Sequence, residues 1–79
     1  MRKGGVEMIY PNLEAEMKRY AVRRTDIARA LGTSNAVVTN RLNGVQGEMS
    51  ISDALTIRDL FFPGMDMAYL FRSRRGAEE

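Results

Sequence analysis

The chain reads as an all-α domain of five short helices, and three observations carry that reading. Apolar residues recur at helical spacing, as in Leu13–Met17, Ile27–Leu31, Val38–Leu42 and Ile51–Leu55. Most of these segments are bracketed by residues that start or stop helices: Pro11, Ser34, Ser50 and Asp66 on one side, Gly32, Asn43-Gly44 and Pro63-Gly64 on the other. The stretch RTDIARALGTSNAVVTNRLNG, Arg24 to Gly44, then reads as two short helices joined by a tight turn at Gly32. The organisation that follows is a loose arm over 1–9, a folded domain over 10–71 and a disordered tail over 72–79.

The first helix begins at Tyr10-Pro11, because proline suits a first helical position whose N–H would be unpaired anyway. Leu13, Met17 and Tyr20 or Ala21 make its inward face, and it closes at Ala21-Val22. Glu14 and Glu16 stand early and Lys18 and Arg19 late, in keeping with the helix dipole. The second helix covers Arg24 to Leu31, with Ile27, Ala28 and Leu31 inward. Its start is poorly capped, since Arg23 stands where Ser, Thr or Asp is preferred.

Ser34 caps the third helix, which runs from Asn35 to about Asn43 with Val38 and Leu42 inward. Two valines, a threonine and three asparagines make this a weak helix former that needs its neighbours. Ser50-x-x-Asp53 is a capping box for a fourth helix carrying Ile51, Ala54, Leu55, Ile57, Leu60 and Phe61, the most apolar of the five and the expected pillar of the core. Phe62-Pro63-Gly64 ends it. Asp66 caps a short fifth helix, Met67 to Phe71.

Composition removes whole classes of chemistry. There is no cysteine and no histidine, so disulfides, thiolate or imidazole metal sites and the common nucleophile–base pairs are absent. Glu14 and Glu16 sit two apart and face different ways on a helix, which argues against a paired-carboxylate enzyme. No cofactor is expected. The opening residues have charge but no apolar core of a signal peptide, no run suits a membrane span, and a small domain without cysteine fits the cytoplasm.

Net charge is only +2, but it is unevenly placed. Residues 1–47 hold eight Lys/Arg against four acids, whereas 48–79 hold four against six, so the positive excess lies with the two-helix unit. Arg2 and Lys3 in the arm and the arginines of the tail add to that balance.

Exposed asparagines on a helix that gains no stability from them point to a ligand. A helix-turn-helix uses such a second helix to read the major groove, with Asn pairing to adenine and Thr or Ala methyls touching thymine. With IARALGTSNAVVTNRLNG at its second and third helices, the chain resembles the phage repressor and Cro-type (xenobiotic-response-element-like) helix-turn-helix family. The flanks MIYPNLEAEMKRY and ISDALTIRDLFFPGMDMAYLF look like those of its small prophage regulators. The resemblance spans about residues 8–71 and implies a five-helix lambda-repressor-like domain.

By that resemblance the DNA-contact set is Arg24, Ser34, Asn35, Ala36, Thr39, Asn40, Arg41 and Asn43. Arg24 grips phosphate and props a base-reading residue, Asn35 and Ala36 open the recognition helix, Thr39 and Asn40 lie one turn on, and Asn43 meets the backbone. Arg41 stands where the family often has an apolar residue, and Ala36 where a longer polar one is common. The implied function is a sequence-specific transcriptional regulator acting as a homodimer on a two-fold operator of A·T-containing half-sites. Met65, Met67 and Phe71 of the C-terminal helix are the expected dimer surface. A second reading is a protein-interaction module, antitoxin- or adaptor-like, using the methionine-rich end with Phe62 and Phe71.

Overall fold

In the computed structural model, residues 8–45 and 49–73 are described, and they form five helices with no strand among them. These are α1 (Pro11–Arg19), α2 (Arg24–Leu31), α3 (Asn35–Leu42), α4 (Ile51–Phe61) and α5 (Met67–Leu70). Arg2, Lys3 and the tail arginines Arg74 and Arg75 lie outside the described residues.

The cap residues act as their chemistry dictates. Ser34 Oγ accepts from the Val37 N–H at 3.2 Å, Ser50 Oγ from Asp53 N–H at 3.2 Å, and the Asp66 carboxylate from Tyr69 N–H at 2.8 Å. At the start of α2 the weak position Arg23 is rescued from the other side. Asp26, three residues on, accepts the Arg23 backbone N–H at 2.9 Å, so the box works through its acid alone. Gly32 closes α2 with φ +70°, and a Cβ there would meet nothing within 4 Å, so only the backbone angle calls for glycine. The turn after α1 has no glycine: Ala21 takes φ +57°, the one non-glycine residue with positive φ among those described.

The core draws on every helix. Leu13, Ile27, Leu42, Ile57 and Leu70 are fully enclosed, with Val38 and Tyr10 close behind. α2 packs on α3 and α4, and α5 packs on α1 and α4. Met8 and Ile9, assigned from sequence to the arm, are buried, and the Ile9 N–H donates to Leu42 O at 2.9 Å. Two apolar side chains and a backbone bond to the end of α3 hold this segment in, so the ordered domain begins before Tyr10. Tyr10 itself is buried, receives the Met49 N–H on its hydroxyl at 2.7 Å and meets Phe71 edge-on at 5.7 Å between ring centroids.

Two sequence expectations about packing change. α1 stops at Arg19, and Tyr20 and Ala21 are exposed rather than inward, since the chain has already left the helix. α4 is not an all-round pillar. It buries Ala54 and Ile57, while Ile51, Leu55 and Leu60 are exposed at 75%, 38% and 60%. An α-helix can bury only the stripe its neighbours cover, and α2 and α5 cover one side of α4.

Candidate nucleic-acid interface

The Gly32 turn brings α2 and α3 together with α3 lying on the surface. Val38 and Leu42 anchor it from below, one turn apart. On the rest of the helix Asn35, Ala36 and Asn40 are exposed and Thr39 is half-buried. Asn35 and Thr39, and Ala36 and Asn40, lie one turn apart, so the row runs along about 7.5 Å of helix.

Asn35 is oriented. Its Nδ2 donates to Thr25 Oγ1 at 3.2 Å, across the turn from α2. One amide hydrogen is used there; the rest of the exposed amide keeps a second donor hydrogen and the Oδ1 acceptor. The side chain that holds Asn35 in the structure is thus Thr25 of α2. A hydroxyl at the second position of α2, ten residues upstream, was legible as a possible partner only once α2 and α3 were placed side by side.

The other members of the sequence-derived set divide. Arg24 is exposed and, among the described residues, carries no ion pair. Ser34 is exposed, but its hydroxyl is engaged in the cap. Arg41 is exposed, and its Nη1 donates to Asp53 Oδ2 at 2.7 Å, tying α3 to α4. This pairing also explains why the Asp53 carboxylate is turned toward α3 rather than completing a box with Ser50. Asn43 is half-buried, and its Oδ1 is enclosed without a hydrogen-bond partner among the described residues.

A groove of about 920 Å³ runs beside the row, lined by Lys18, Val22, Arg23, Arg24, Asn35 and Thr39 among others, with Met8 and Met17 in its apolar wall. Lys18 and Arg23, which sequence reasoning did not assign to the site, share its rim with Arg24. Lys18 lies 3.9 Å from Glu14 and Arg23 3.7 Å from Asp26, both at highly exposed cations. Exposed pairs of that length are weak, well under about 1 kcal/mol, so both cations can turn to another anion at little cost. Lys18, Arg23 and Arg24 thus stand beside α3, with Glu14 lining the same groove.

The expected dimer surface at the C-terminus is largely used inside the domain. Met65 and Phe71 pack against the core, and Met67 is half-buried. A further constellation was not foreseen at all. Glu16 is 6% exposed, accepts the Tyr69 hydroxyl on Oε2 at 2.7 Å and meets Arg19 Nε on Oε1 at 3.2 Å. Asn12 Nδ2 donates to Tyr69 O at 2.8 Å, so α1 and α5 are latched twice. Both oxygens of the buried Glu16 carboxylate are engaged, which is the character of a structural tie. Among the described residues no three His, Cys, Asp or Glu side chains converge to hold a metal ion, and no helix is long and apolar enough to cross a membrane.

No family model, curated protein or solved structure matches this chain.

Proposed function

We propose that the chain is a sequence-specific DNA-binding regulator of transcription, of the repressor and Cro type. In this reading it lays α3 in the major groove of double-stranded DNA, and two copies occupy a two-fold operator in the cytoplasm. The supporting observation is the outward row Asn35, Ala36, Thr39 and Asn40, on a helix of poor intrinsic propensity, with Asn35 propped by Thr25. Such a row costs helical stability and is explained by what it reads.

Arg24 then supplies the first phosphate contact, with Lys18 and Arg23 beside it along the groove. Arg41 is withdrawn from that role and acts as the strut between α3 and α4. The order of helices, with α2 and α3 as the helix-turn-helix and α1, α4 and α5 as its support, agrees with a lambda-repressor-like arrangement. An exposed asparagine amide can pair with adenine N7 and N6, so A·T pairs are expected near the start of α3 in each half-site. The chemistry of the site is recognition, not catalysis, and no cofactor is invoked.

Selection of binding sites from random double-stranded DNA is the direct test. A palindrome with A·T pairs in each half, bound with an affinity that falls steeply with salt, is the expected result. The log–log slope should be about −0.9 per phosphate contacted. Enrichment of no sequence, or an affinity insensitive to salt, would overturn the reading. The interaction-module alternative would use Met65, Met67 and Phe71, each only half-exposed, with Met65 and Phe71 packed in part against the core.

A further inference from the structure

The groove beside α3 joins two kinds of surface. Its floor is apolar: Met8, Met17 of α1 and Val22 of the turn between α1 and α2 line it. Met8 and Met17 are buried and Val22 is half-buried, so these side chains close the bottom of the groove rather than stand out from it. Its rim is cationic. Lys18, Arg23 and Arg24 line it against one carboxylate, Glu14, which lies 3.9 Å from Lys18. Arg23 holds Asp26 only at 3.7 Å, and Arg24 carries no ion pair among the described residues. The volume, about 920 Å³, falls in the range of small-molecule sites, roughly 300–1,000 Å³.

We propose that this groove binds a small amphiphilic anion, an apolar body ended by a single carboxylate or sulfonate head, and that its occupancy excludes DNA. Charge complementarity selects the head, which meets Arg23 and Arg24 at the rim. The floor selects the body, because burying apolar surface against methionine and valine is favourable and methionines adapt to varied shapes. An uncharged ligand would leave the cations unanswered. A bare phosphate strand would use the rim and leave the floor idle.

The exclusion of DNA rests on the DNA-binding reading. Arg24, Asn35 and Thr39 line the groove and also belong to the surface that meets DNA in that reading. A ligand head held by Arg24 withdraws the first phosphate contact, and its body abuts the start of the reading row. Ligand and DNA therefore weaken each other by the same factor, as linkage requires.

Anilinonaphthalene sulfonate, an aromatic body with one sulfonate, is a fluorescent probe of this chemistry, and the uncharged phenylnaphthylamine is its control for the head. Titrated into the native chain without DNA, the sulfonate should bind saturably, with amide NMR shifts gathered at Lys18, Val22, Arg23, Arg24 and Asn35. The uncharged analogue should bind about fivefold more weakly or worse. The double variant Arg23→Gln/Arg24→Gln, changed only at exposed positions, should weaken the sulfonate about fivefold and leave the analogue nearly unchanged. Ile51→Ser, at an exposed apolar position on α4, should alter neither. Equal affinity for the two probes, shifts centred elsewhere, or a sulfonate affinity indifferent to Arg23→Gln/Arg24→Gln overturns the site. On a duplex obtained by site selection, sulfonate at ten times its own Kd should lower the apparent DNA affinity by about tenfold. An unmoved DNA affinity overturns the exclusion. If the native chain binds no DNA the functional reading fails, while the titrations without DNA still judge the site.

Discussion

The Tyr69 hydroxyl donates to Glu16 at 2.7 Å, joining residues 53 apart in sequence and sealing a carboxylate that the fold almost wholly buries. A buried carboxylate must be paired or solvated, and here Tyr69 and Arg19 share that task. The bond decides how firmly the four-residue α5 is held, because so short a helix has little stability of its own.

Tyr69→Phe should therefore lower the urea midpoint of unfolding, whereas Tyr20→Phe, at a well-exposed ring, should leave it unchanged. The pH dependence has a definite sign. The Tyr69 hydroxyl titrates above its ordinary value, first because it donates to Glu16, then through burial and the negative charge of Glu16, with Arg19 opposing. A folded-state value raised above the unfolded one gives a contribution fully present below about pH 10 and lost as pH climbs through the raised value. Urea titrations between neutral pH and pH 11 should show that alkaline loss in the native chain and less of it in Tyr69→Phe.

Arg41 and Asp53 offer a test of structural against DNA-contacting roles. A double-mutant cycle with Arg41→Ala and Asp53→Ala should give a coupling of about 0.5–1 kcal/mol in unfolding free energy, as befits a short but partly exposed pair. The salt slope of DNA binding should be the same in Arg41→Ala as in the native chain. Arg24→Ala, by contrast, should reduce that slope by about 0.9 without altering stability. A slope lowered by Arg41→Ala would return that side chain to phosphate.

Ala21 holds φ +57° at the exit of α1, a conformation that costs a residue with a Cβ on the order of 1 kcal/mol. Ala21→Gly relieves that strain but loosens the unfolded chain, so a net gain of a few tenths to about 1 kcal/mol is expected. Equilibrium urea denaturation measures it, and a destabilised variant would contradict the strain argument.

Thr25 is predicted to act through Asn35. Thr25→Ser keeps the hydroxyl and should preserve the preferred base at the start of each half-site. Thr25→Val removes the acceptor and should cut discrimination at that base by up to about 1–3 kcal/mol, while binding to nonspecific DNA is unchanged. Competition binding against duplexes substituted at that one position reads the difference.

How much of this was legible beforehand follows the range of each interaction. Gly32, Ser34, Ser50 and Asp66 marked helix ends correctly, because a cap is settled by residues within one turn. Ile27, Ala28, Val38, Leu42 and Ile57 were legible as core, because helical spacing identifies an inward stripe. The exposure of Asn35, Ala36 and Asn40 follows from the same spacing.

What spacing leaves open is which of several apolar stripes a neighbour covers and which charges meet. Ile51 and Leu55 read as core until α2 and α5 were seen to cover the other side of α4. Met8 and Ile9 read as arm until the end of α3 gave Ile9 a carbonyl to bond. The Arg41–Asp53 bond at 2.7 Å and the Tyr69 hydroxyl on Glu16 join residues that no spacing paired. The sequence by itself determined where the helices lie and which face of α3 looks outward. Tertiary structure alone decided the Thr25 prop, the Arg41 strut, the Glu16 latch and the bare edge of α4. Each of these joins residues brought together by packing, whose meeting no local pattern encodes.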